Sequence, residues 1–256
     1  MPIAQAVGGR VLGPVVAVAA GFEADDRVHP HWHDRAQLVY AESGAMTVRT
    51  DEGYWVVPPR RAVWVPAMKK HSFRMVTRVE MLTLYIEPAL QPAQLDRCCV
   101  IQVSPLLHEL VLRVLAFQER YDAHRREGRL VAVLIDEIEV APTAPLHVPF
   151  PRDARLVKIA RQIDAEPGDT RTLADWALNA GASERTLARR FVADTGMPFA
   201  RWRQQVRLLK ALQLLASGSP VTRVAADLGY ESTSAFIAMF RKSLGSTPSR
   251  YFPARA

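Results

Sequence analysis

The chain has 256 residues, enough for two domains of ordinary size that each bury a core. Its 49% hydrophobic and 23% charged residues are typical of a soluble globular protein, and no apolar run is long enough for a transmembrane helix. Residues 152–256 carry 17 Lys and Arg against 9 Asp and Glu, a net charge of +8, whereas residues 1–151 carry 16 against 17, a net charge of −1. This basic surplus in the C-terminal part predicts a surface that displaces counterions from phosphates.

An apolar run near the N-terminus imitates a secretory signal peptide, because Arg10 is followed by twelve uncharged residues. Gly13 and Pro14 interrupt this run, and only one basic residue precedes it. We therefore interpret residues 15–20 as a first buried strand and expect a bacterial cytoplasmic protein.

The two cysteines, Cys98 and Cys99, are adjacent in the chain. A disulfide between neighbours would be strained, so the sequence excludes a disulfide framework. We expect both residues to be small, partly buried apolar side chains, with a thiol sensor as the alternative.

From residue 15 to residue 87 short apolar runs of β type alternate with turn residues. We predict strands at 15–20, 37–41, 45–50, 54–57, 62–65, 72–76 and 80–86, with a hairpin turn at 51–53. Strands at this spacing predict a small antiparallel barrel or jelly roll.

Histidines and one amide residue form a pattern in this region, His31-Trp32-His33-x3-Gln37, with His71 further along. His31 and His33 are two residues apart and therefore point to the same face of a strand. The pattern resembles the two cupin motifs, in which two His and one carboxylate meet a third His from a later strand around a divalent metal. The resemblance implies a cupin-like sensor barrel with an effector pocket formed by His31, His33, Gln37 and His71. Trp64 is a further candidate for this pocket, or it packs the core or rim of the barrel.

Gln37 departs from the cupin pattern, because metal-binding cupins usually carry Glu there and an amide oxygen is a weaker, uncharged ligand. Three interpretations stay open: a small-molecule cavity with hydrogen-bonded histidines, a metal-dependent sensor using imidazole ligands for Zn, Ni, Fe or Cu, and an active cupin enzyme. His29 shares the parity of His31 and either joins the cluster or faces solvent. Four basic residues nearby either attract an anionic effector or form a solvated strand edge: Arg60, Arg61, Lys69 and Lys70.

Two helical segments follow the strands. Apolar residues recur at helical spacing across residues 105–121 and again across residues 129–140. Residues 141–151 contain four prolines and little that could pack, so we predict a semi-rigid linker there.

The C-terminal part repeats one plan, a helix-turn-helix. In residues 221–244 a short apolar-faced helix ends at Gly229, and a second helix follows after a polar cap. Residues 173–196 show the same order around Gly181, since glycine supplies the positive φ of a sharp turn. Residues 199–216 form one long amphipathic helix between the two copies.

The ending from Asp227 to Tyr251, D-L-G-Y-E-S-x-S-x-F-x3-F-R-x3-G-x-T-P-x2-Y, resembles the signature of the AraC/XylS transcription regulators, and the likeness covers about 100 residues. It implies a homodimer whose partners are double-stranded operator DNA, an effector and RNA polymerase. The helices before the linker either form the dimer interface, as the resemblance implies, or are only domain core. We therefore predict an α+β multidomain fold: sensor domain in residues 1–103, dimerisation helices in 104–140, linker in 141–151 and an all-α DNA-binding domain in 152–256.

In the first helix-turn-helix unit Leu187 and Phe191 would face the core, which leaves four outer residues for DNA: Arg185, Thr186, Arg189 and Arg190. Arg pairs bidentately with guanine, and the family resemblance favours Arg185 and Arg189 as base readers. In the second unit the matching residues are Ser232, Thr233 and Ser234, followed by Ala238 where many family members carry Arg. Arg241 and Lys242 would bind phosphate.

The sequence thus predicts a ligand-responsive transcription regulator that is not an enzyme, with a divalent metal as a candidate cofactor. Its effector would act only by the difference between its affinities for two states of the protein. One alternative is a metal-dependent cupin enzyme fused to a nucleic-acid-binding domain. Another is a constitutive architectural DNA binder, which would leave the pocket residues without a purpose.

Overall fold

The structure, a computed structural model, describes residues 13–117, 121–122 and 124–252. The chain divides into two compact units. The first runs to Asp51 and then from Trp55 to Leu146, and the second contains Glu52–Tyr54 and everything from His147 onward. The boundary after Leu146 falls inside the segment predicted as a linker. Arg10 lies outside the described residues.

Strands occupy most of the first unit up to residue 102. The strands of the described chain are β1 (Val15–Phe22), β2 (Arg27–His31), β3 (Ala36–Ser43), β4 (Met46–Arg49), β5 (Gly53–Val57), β6 (Arg61–Val65), β7 (His71–Met75), β8 (Val79–Ile86), β9 (Cys99–Gln102), β10 (Thr143–Ala144) and β11 (His147–Pro149). Each predicted strand is confirmed, and β2 and β9 are strands that the sequence analysis missed.

The helices follow the predicted order. They are α1 (Pro105–Leu115), α2 (Arg126–Val140), α3 (Ala154–Ala165), α4 (Leu173–Ala180), α5 (Glu184–Thr195), α6 (Phe199–Ala216), α7 (Val221–Asp227), α8 (Thr233–Leu244) and α9 (Pro248–Tyr251). Helix α1 ends at Leu115, earlier than the predicted residue 121. The α+β class, with strands first and two helix-turn-helix units last, is confirmed.

Two antiparallel sheets build the first unit. One has the strand order β1-β8-β3-β6-β9-β10, and the other contains β5-β4-β7-β2 in that order. Strands β2 and β7 pair from Arg27 with Arg74 to His31 with His71, with an irregularity between Val28 and His31. Strand β2 was missed because its sequence, RVHPH, lacks an alternating apolar pattern and contains a proline.

The two faces of β3 have different surroundings, because successive side chains of a strand alternate between faces. Leu38 and Tyr40 lie in a buried apolar cluster together with Leu107 of α1 and Leu134 of α2. Each such fully buried apolar side chain contributes roughly 1.5–3 kcal/mol relative to an exposed one. Gln37 has the opposite parity and lies on the other face.

Polar side chains begin the helices of the second unit. Asp153 accepts the N–H of Arg155 at 2.9 Å at the start of α3, and Thr172 forms a capping box with Asp175 at the start of α4. Ser183 and Ser232 cap α5 and α8. An N-cap of this kind contributes about 1 kcal/mol, so four helix starts are fixed by residues that the sequence marks.

Gly229 forms the turn between α7 and α8 with a φ of 71°. A Cβ atom at this position would lie 2.6 Å from the carbonyl oxygen of Gly168, which is too close for any side chain. Glycine is therefore required here both by the left-handed backbone and by the close approach of a second segment.

The segment predicted as a linker packs more closely than expected. Strand β10 pairs with β9, and Leu146 and Val148 are both fully buried. In the second unit the N–H of Phe150 donates to the oxygen of Glu52. The prediction of a segment without packing elements was therefore wrong, because the apolar residues between its four prolines pack as short strands. No helix among the described residues is long and apolar enough to cross a membrane.

Candidate effector pocket and DNA-binding surface

The structure brings His31, His33 and His71 together. His31 ends β2 and pairs in register with His71 at the start of β7, while His33 follows two residues after β2. The ring centroids of His31 and His71 are 4.3 Å apart, and those of His33 and His71 are 5.1 Å apart. One ring nitrogen from each residue lies within 4.8 Å of the other two. This spacing allows a single ion or polar group to contact all three.

Backbone carbonyls fix the same tautomer in all three rings. The Nδ1 atoms of His31, His33 and His71 lie 2.9, 2.6 and 2.7 Å from the carbonyl oxygens of His29, Arg35 and Lys69. A carbonyl only accepts, so each Nδ1 carries the proton and each neutral ring keeps a lone pair on Nε2. A histidine that donates its Nδ1–H to a carbonyl is oriented for binding a metal through Nε2.

Gln37 lies at the centre of this cluster. Its Oε1 is 3.2 Å from Nε2 of His33 and 3.0 Å from Nε2 of His71, while its Nε2 donates to the hydroxyl of Thr83 at 2.9 Å. An amide oxygen and two unprotonated ring nitrogens are all acceptors, so this orientation needs a cation or a proton between them. The turned amide would donate to both rings and accept from Thr83 instead.

Burial disfavours the charged forms of His33 and His71. It lowers the pKa of His71 to about 3, and it also lowers the pKa of His33. Burial raises the pKa of the neighbouring Tyr85, whose ring centroid is 5.2 Å from that of His33, to about 12. Near neutral pH the two imidazoles are therefore unprotonated at Nε2 and the phenol keeps its proton, which leaves a set of neutral ligands.

The sequence analysis missed Thr83 and Tyr85. Both lie on β8, where Val39 of β3 pairs with Thr83 and Gln37 pairs with Tyr85. A buried threonine within the apolar run of β8 is the signal that could have indicated them, because a buried hydroxyl requires a partner.

Trp64 lies apart from the histidine cluster, contrary to the prediction that it lines the pocket. It pairs with Leu38 in the register of β6 and β3 and belongs to the apolar cluster beneath α1 and α2. Its indole N–H donates to the carbonyl of Leu95 at 2.8 Å. The reason is parity, since Trp64 lies on the face opposite Gln37.

The cluster has one basic residue with a paired charge and exposed apolar side chains close to it in the chain. Lys69 pairs with Asp51 at 2.9 Å, so its charge is balanced. Trp32 is 58% exposed and lies between His31 and His33 in the chain. Met68, 60% exposed, donates its N–H to the carbonyl of His33. Exposed apolar side chains therefore lie next to the histidine segment.

Helix α5 presents arginines to solvent. Leu187 and Phe191 are buried, while Arg185 and Arg189, four residues apart, are exposed on one side. Neither takes part in an ion pair within residues 13–117, 121–122 and 124–252. Two guanidinium groups with this spacing are available for an anionic or acceptor-rich partner.

The other predicted DNA contacts of α5 are more constrained. Arg190 lies 3.9 Å from both Asp153 and Asp194, so its charge is partly balanced by two carboxylates. Thr186 is half-buried, and its hydroxyl lies 2.9 Å from that of Ser183. Arg185 and Arg189 are thus the freer pair.

Helix α8 is less basic at its start than α5. Ser232 uses its hydroxyl to cap the helix by accepting the N–H of Ala235 at 3.1 Å. Thr233 is half-buried, whereas Ser234 and Ala238 are exposed. The cations of this helix lie in its last turn, where the exposed residues are Arg241 and Lys242.

Comparison with known proteins assigns both parts of the chain. Residues 13–134 match the AraC-like ligand binding domain, and residues 176–254 match a helix-turn-helix domain. The transcriptional regulator NimR of Escherichia coli K12 is 39% identical over 237 residues, which cover 92% of this chain and 86% of NimR. RipA of Corynebacterium diphtheriae is 35% identical over 130 residues, 51% of this chain and 37% of RipA.

Among solved structures, ToxT from Vibrio cholerae aligns with 94% of this chain and 98% of its own at 11% identity and a TM-score of 0.39. A DNA-binding transcriptional dual regulator from Escherichia coli K-12 aligns with 39% of this chain and 90% of its own, at 28% identity and a TM-score of 0.35.

Proposed function

Because the chain belongs to the AraC family of DNA-binding transcription regulators, we propose that it reads a specific operator and that an effector held by His31, His33, Gln37 and His71 changes its DNA affinity. The observation that carries the effector site is the shared tautomer of the three histidines, which directs three lone pairs to one place. The regulatory outcome follows from the difference in the effector's affinity for the DNA-competent and incompetent states.

Arg185 and Arg189 read the operator in this proposal. Both are exposed and unpaired on α5, and an Arg fork matches the O6 and N7 acceptors of guanine in the major groove. Arg190, Arg241 and Lys242 contact phosphates, which set position without reading sequence. In the second unit Thr233 and Ser234 contact bases or backbone, while Ser232 and, in the first unit, Thr186 support their helix starts.

The donor set favours a divalent metal over an organic effector. Three imidazole Nε2 atoms suit Zn, Ni, Fe or Cu, and the Gln37 amide oxygen supplies a fourth, weaker ligand. A bound divalent cation would supply the positive charge that the present orientation of the amide requires. An organic effector is the second candidate, because a turned Gln37 amide satisfies the histidines without a cation and exposed Trp32 and Met68 offer apolar contacts.

Strand β3 connects the pocket to the helices. Gln37 faces the histidines on one side of the strand, and three residues later the hydroxyl of Tyr40 lies 3.0 Å from Nδ1 of His108 on α1. A change in the orientation or ligation of Gln37 therefore acts on a strand whose other face carries α1 and α2. This arrangement gives an effector a route to the helix pair within the first unit.

We place a homodimer interface on this helix pair. Val133 and Val140 of α2 are exposed, and a spacing of seven residues puts them on the same side of the helix. Leu106 of α1 is a further exposed apolar residue. Replacing Val133 and Val140 with Asp is expected to shift the sedimenting species from dimer to monomer. Leu178→Asp, at an exposed position of α4, should leave the sedimenting mass unchanged. A variant that remains dimeric would remove α2 from the interface.

The pocket is regulatory and not catalytic in this proposal. Gln37 occupies the position at which the cupin resemblance implies a carboxylate, so the site lacks a negatively charged ligand and a carboxylate base. The enzyme alternative requires turnover of a substrate by the metal-loaded protein.

Metal binding tests the site directly. Protein purified without a tag or added metal is analysed for elements, and divalent ions are then titrated while the fluorescence of Trp32 is followed. We expect one equivalent of metal, lost in His33→Ala and His71→Ala and retained in His29→Ala, because His29 contributes only its backbone carbonyl. Absence of binding at micromolar metal would reject the metal and leave the organic effector.

A further inference from the structure

A cleft with three cations lies in the second unit between α6 and α8. Its volume is about 420 Å³, and its lining includes Arg203 and Arg207 of α6, Tyr230 of the helix-turn-helix turn, and Ala238, Met239 and Lys242 of α8. The sequence analysis named Lys242 as a phosphate contact but gave no role to the two arginines of the long helix. The cleft is thus a cationic feature separate from the DNA-binding residues proposed on α5.

Backbone carbonyls hold the two arginines in place. Nε of Arg207 donates to the oxygen of Pro167 at 2.8 Å and its Nη2 to the oxygen of Asp169 at 3.0 Å. Nη1 of Arg203 donates to the oxygen of Arg171 at 2.7 Å. These partners are neutral, so they orient the guanidinium groups and leave their charge in place.

One carboxylate, Asp169, acts on the charges of Arg203 and Arg207, but it forms no ion pair with either of them. The nearest acid on the same loop is Asp169, whose side chain forms hydrogen bonds to Nε and Nη2 of Arg171. Within the part of the chain that the structure describes, Arg203, Arg207 and Lys242 take part in no ion pair. Two guanidinium groups held by carbonyls and the exposed ammonium of Lys242 surround one cleft and form a positive site that attracts an anion.

The electrostatics of Arg207 agree with this assignment. Burial lowers the pKa of its guanidinium, and the nearby charge of Arg203 lowers it further. Burial raises the pKa of Tyr230, so its phenol keeps a proton and can donate a hydrogen bond. An anion in the cleft would relieve the repulsion between the guanidinium groups and accept from the phenol.

We propose that this cleft, between the long helix α6 and the recognition helix α8 of the second unit, binds a phosphodiester of the operator backbone. Helix α6 joins the two helix-turn-helix units, and Ala238 and Lys242 lie on the exposed side of α8, so the cleft opens beside the presumed DNA-facing residues. The small side chain of Ala238 leaves room in the cleft for the sugar-phosphate. An arginine at this position would occupy that space. This inference rests on the proposed DNA binding of the chain.

The test measures binding of a random-sequence duplex and of the operator at several salt concentrations. The slope of log K against log salt is negative, and each lost phosphate contact reduces its magnitude by about 0.9. We expect Lys242→Ala to show this change on both duplexes, and Ala238→Leu to weaken both by roughly tenfold by filling the cleft. Tyr230→Phe is expected to weaken both a few-fold, since it removes one donor.

Lys158→Ala is the matched control, because Lys158 is an exposed cation on α3, outside the cleft. Circular dichroism of each variant checks that the helices are intact. The proposal would be overturned if Lys242→Ala had the same salt slope as Lys158→Ala and Ala238→Leu had the same affinity as Lys158→Ala. The proposal would also be overturned if the cleft variants lost binding of an acidic peptide but kept the DNA affinity of the wild type. The cleft would then be a protein contact.

The two proposals fail in different ways. If the wild-type chain binds no duplex, the proposed DNA binding itself is rejected. If the wild type binds and Arg185→Ala loses sequence preference while the cleft variants bind normally, the cleft assignment is rejected together with the phosphate contact of Lys242, and the assignment of α5 stands. We expect the cleft variants to keep the ratio of operator to random-sequence affinity, because phosphate contacts carry no sequence information.

Discussion

The histidine pocket and the outer side of α5 use polar side chains in opposite ways. In the pocket His71 and Gln37 are buried, uncharged and joined by hydrogen bonds, so each group depends on the orientation of its neighbour. On α5 Arg185 and Arg189 are exposed and charged, and neither takes part in an ion pair within the described residues. The pocket is therefore sensitive to one altered atom, whereas the DNA surface is sensitive to salt and to the number of charges.

The largest effect is expected on α5. Replacing Arg185 and Arg189 together with Ala should reduce operator affinity by roughly thirtyfold or more, because each guanine contact contributes roughly 1–3 kcal/mol of discrimination. Fluorescence anisotropy with operator and random-sequence duplexes measures the loss. Arg161→Ala, an exposed cation on α3, is the control and should keep the preference for the operator. Unchanged operator affinity in the double variant would reject the assignment of α5.

The two helix-turn-helix turns differ in how strictly they require glycine. Gly229→Ala should lower the free energy of unfolding by about 3 kcal/mol, because it adds a clash with Gly168 to the strain of a positive φ. Gly181→Ala should cost about 1 kcal/mol, since its φ is also positive but no atom lies within 4 Å of its Cβ position. Urea unfolding compares the two, and equal losses would show that the contact with Gly168 is unimportant.

Removing the Gln37 amide should lower the free energy of unfolding. Gln37→Leu leaves Thr83 and two imidazole nitrogens without a partner, so we expect a loss of about 2 kcal/mol in metal-free protein. Gln102→Leu, an exposed residue on β9, is the control and should change stability by less than about 0.5 kcal/mol. A Gln37→Leu variant as stable as the wild type would mean that the buried groups are satisfied without the amide.

The smallest expected effect concerns the cap of α3. Asp153→Ala should cost about 1 kcal/mol, whereas Asp153→Asn keeps the cap and should cost less. The hydrogen bond from Arg155 holds the pKa of Asp153 below its usual value. Its contribution is therefore present above the unfolded pKa near 4 and is lost as the pH falls through the folded pKa. Stability curves of the wild type and Asp153→Ala should converge in acid, and a constant difference would contradict this assignment.

The DNA-binding unit was easier to predict from sequence than the pocket for a physical reason. Helix starts depend on local side chains such as Thr172 and Ser183, and turns depend on glycines such as Gly181, so the pattern is readable within a few residues. Most strands could equally be predicted from short apolar runs of β type bounded by turn residues.

Features that depend on distant neighbours were not readable. Trp64 was placed in the pocket although the register of β6 against β3 puts it on the opposite face, beneath α1 and α2. Thr83 was overlooked because its partner, Gln37, is 46 positions away in the chain. The segment around Leu146 was predicted as a linker because its prolines outweighed its few apolar residues.

The most direct test of the account is the effect of metal on operator affinity. Metal-free protein and protein with one equivalent of Zn²⁺ or Ni²⁺ are titrated against operator DNA, using the wild type, His71→Ala and His29→Ala. We predict that metal changes the affinity of the wild type and of His29→Ala by at least tenfold and leaves His71→Ala unchanged. Equal affinities with and without metal for the wild type would contradict a metal effector at the histidine cluster.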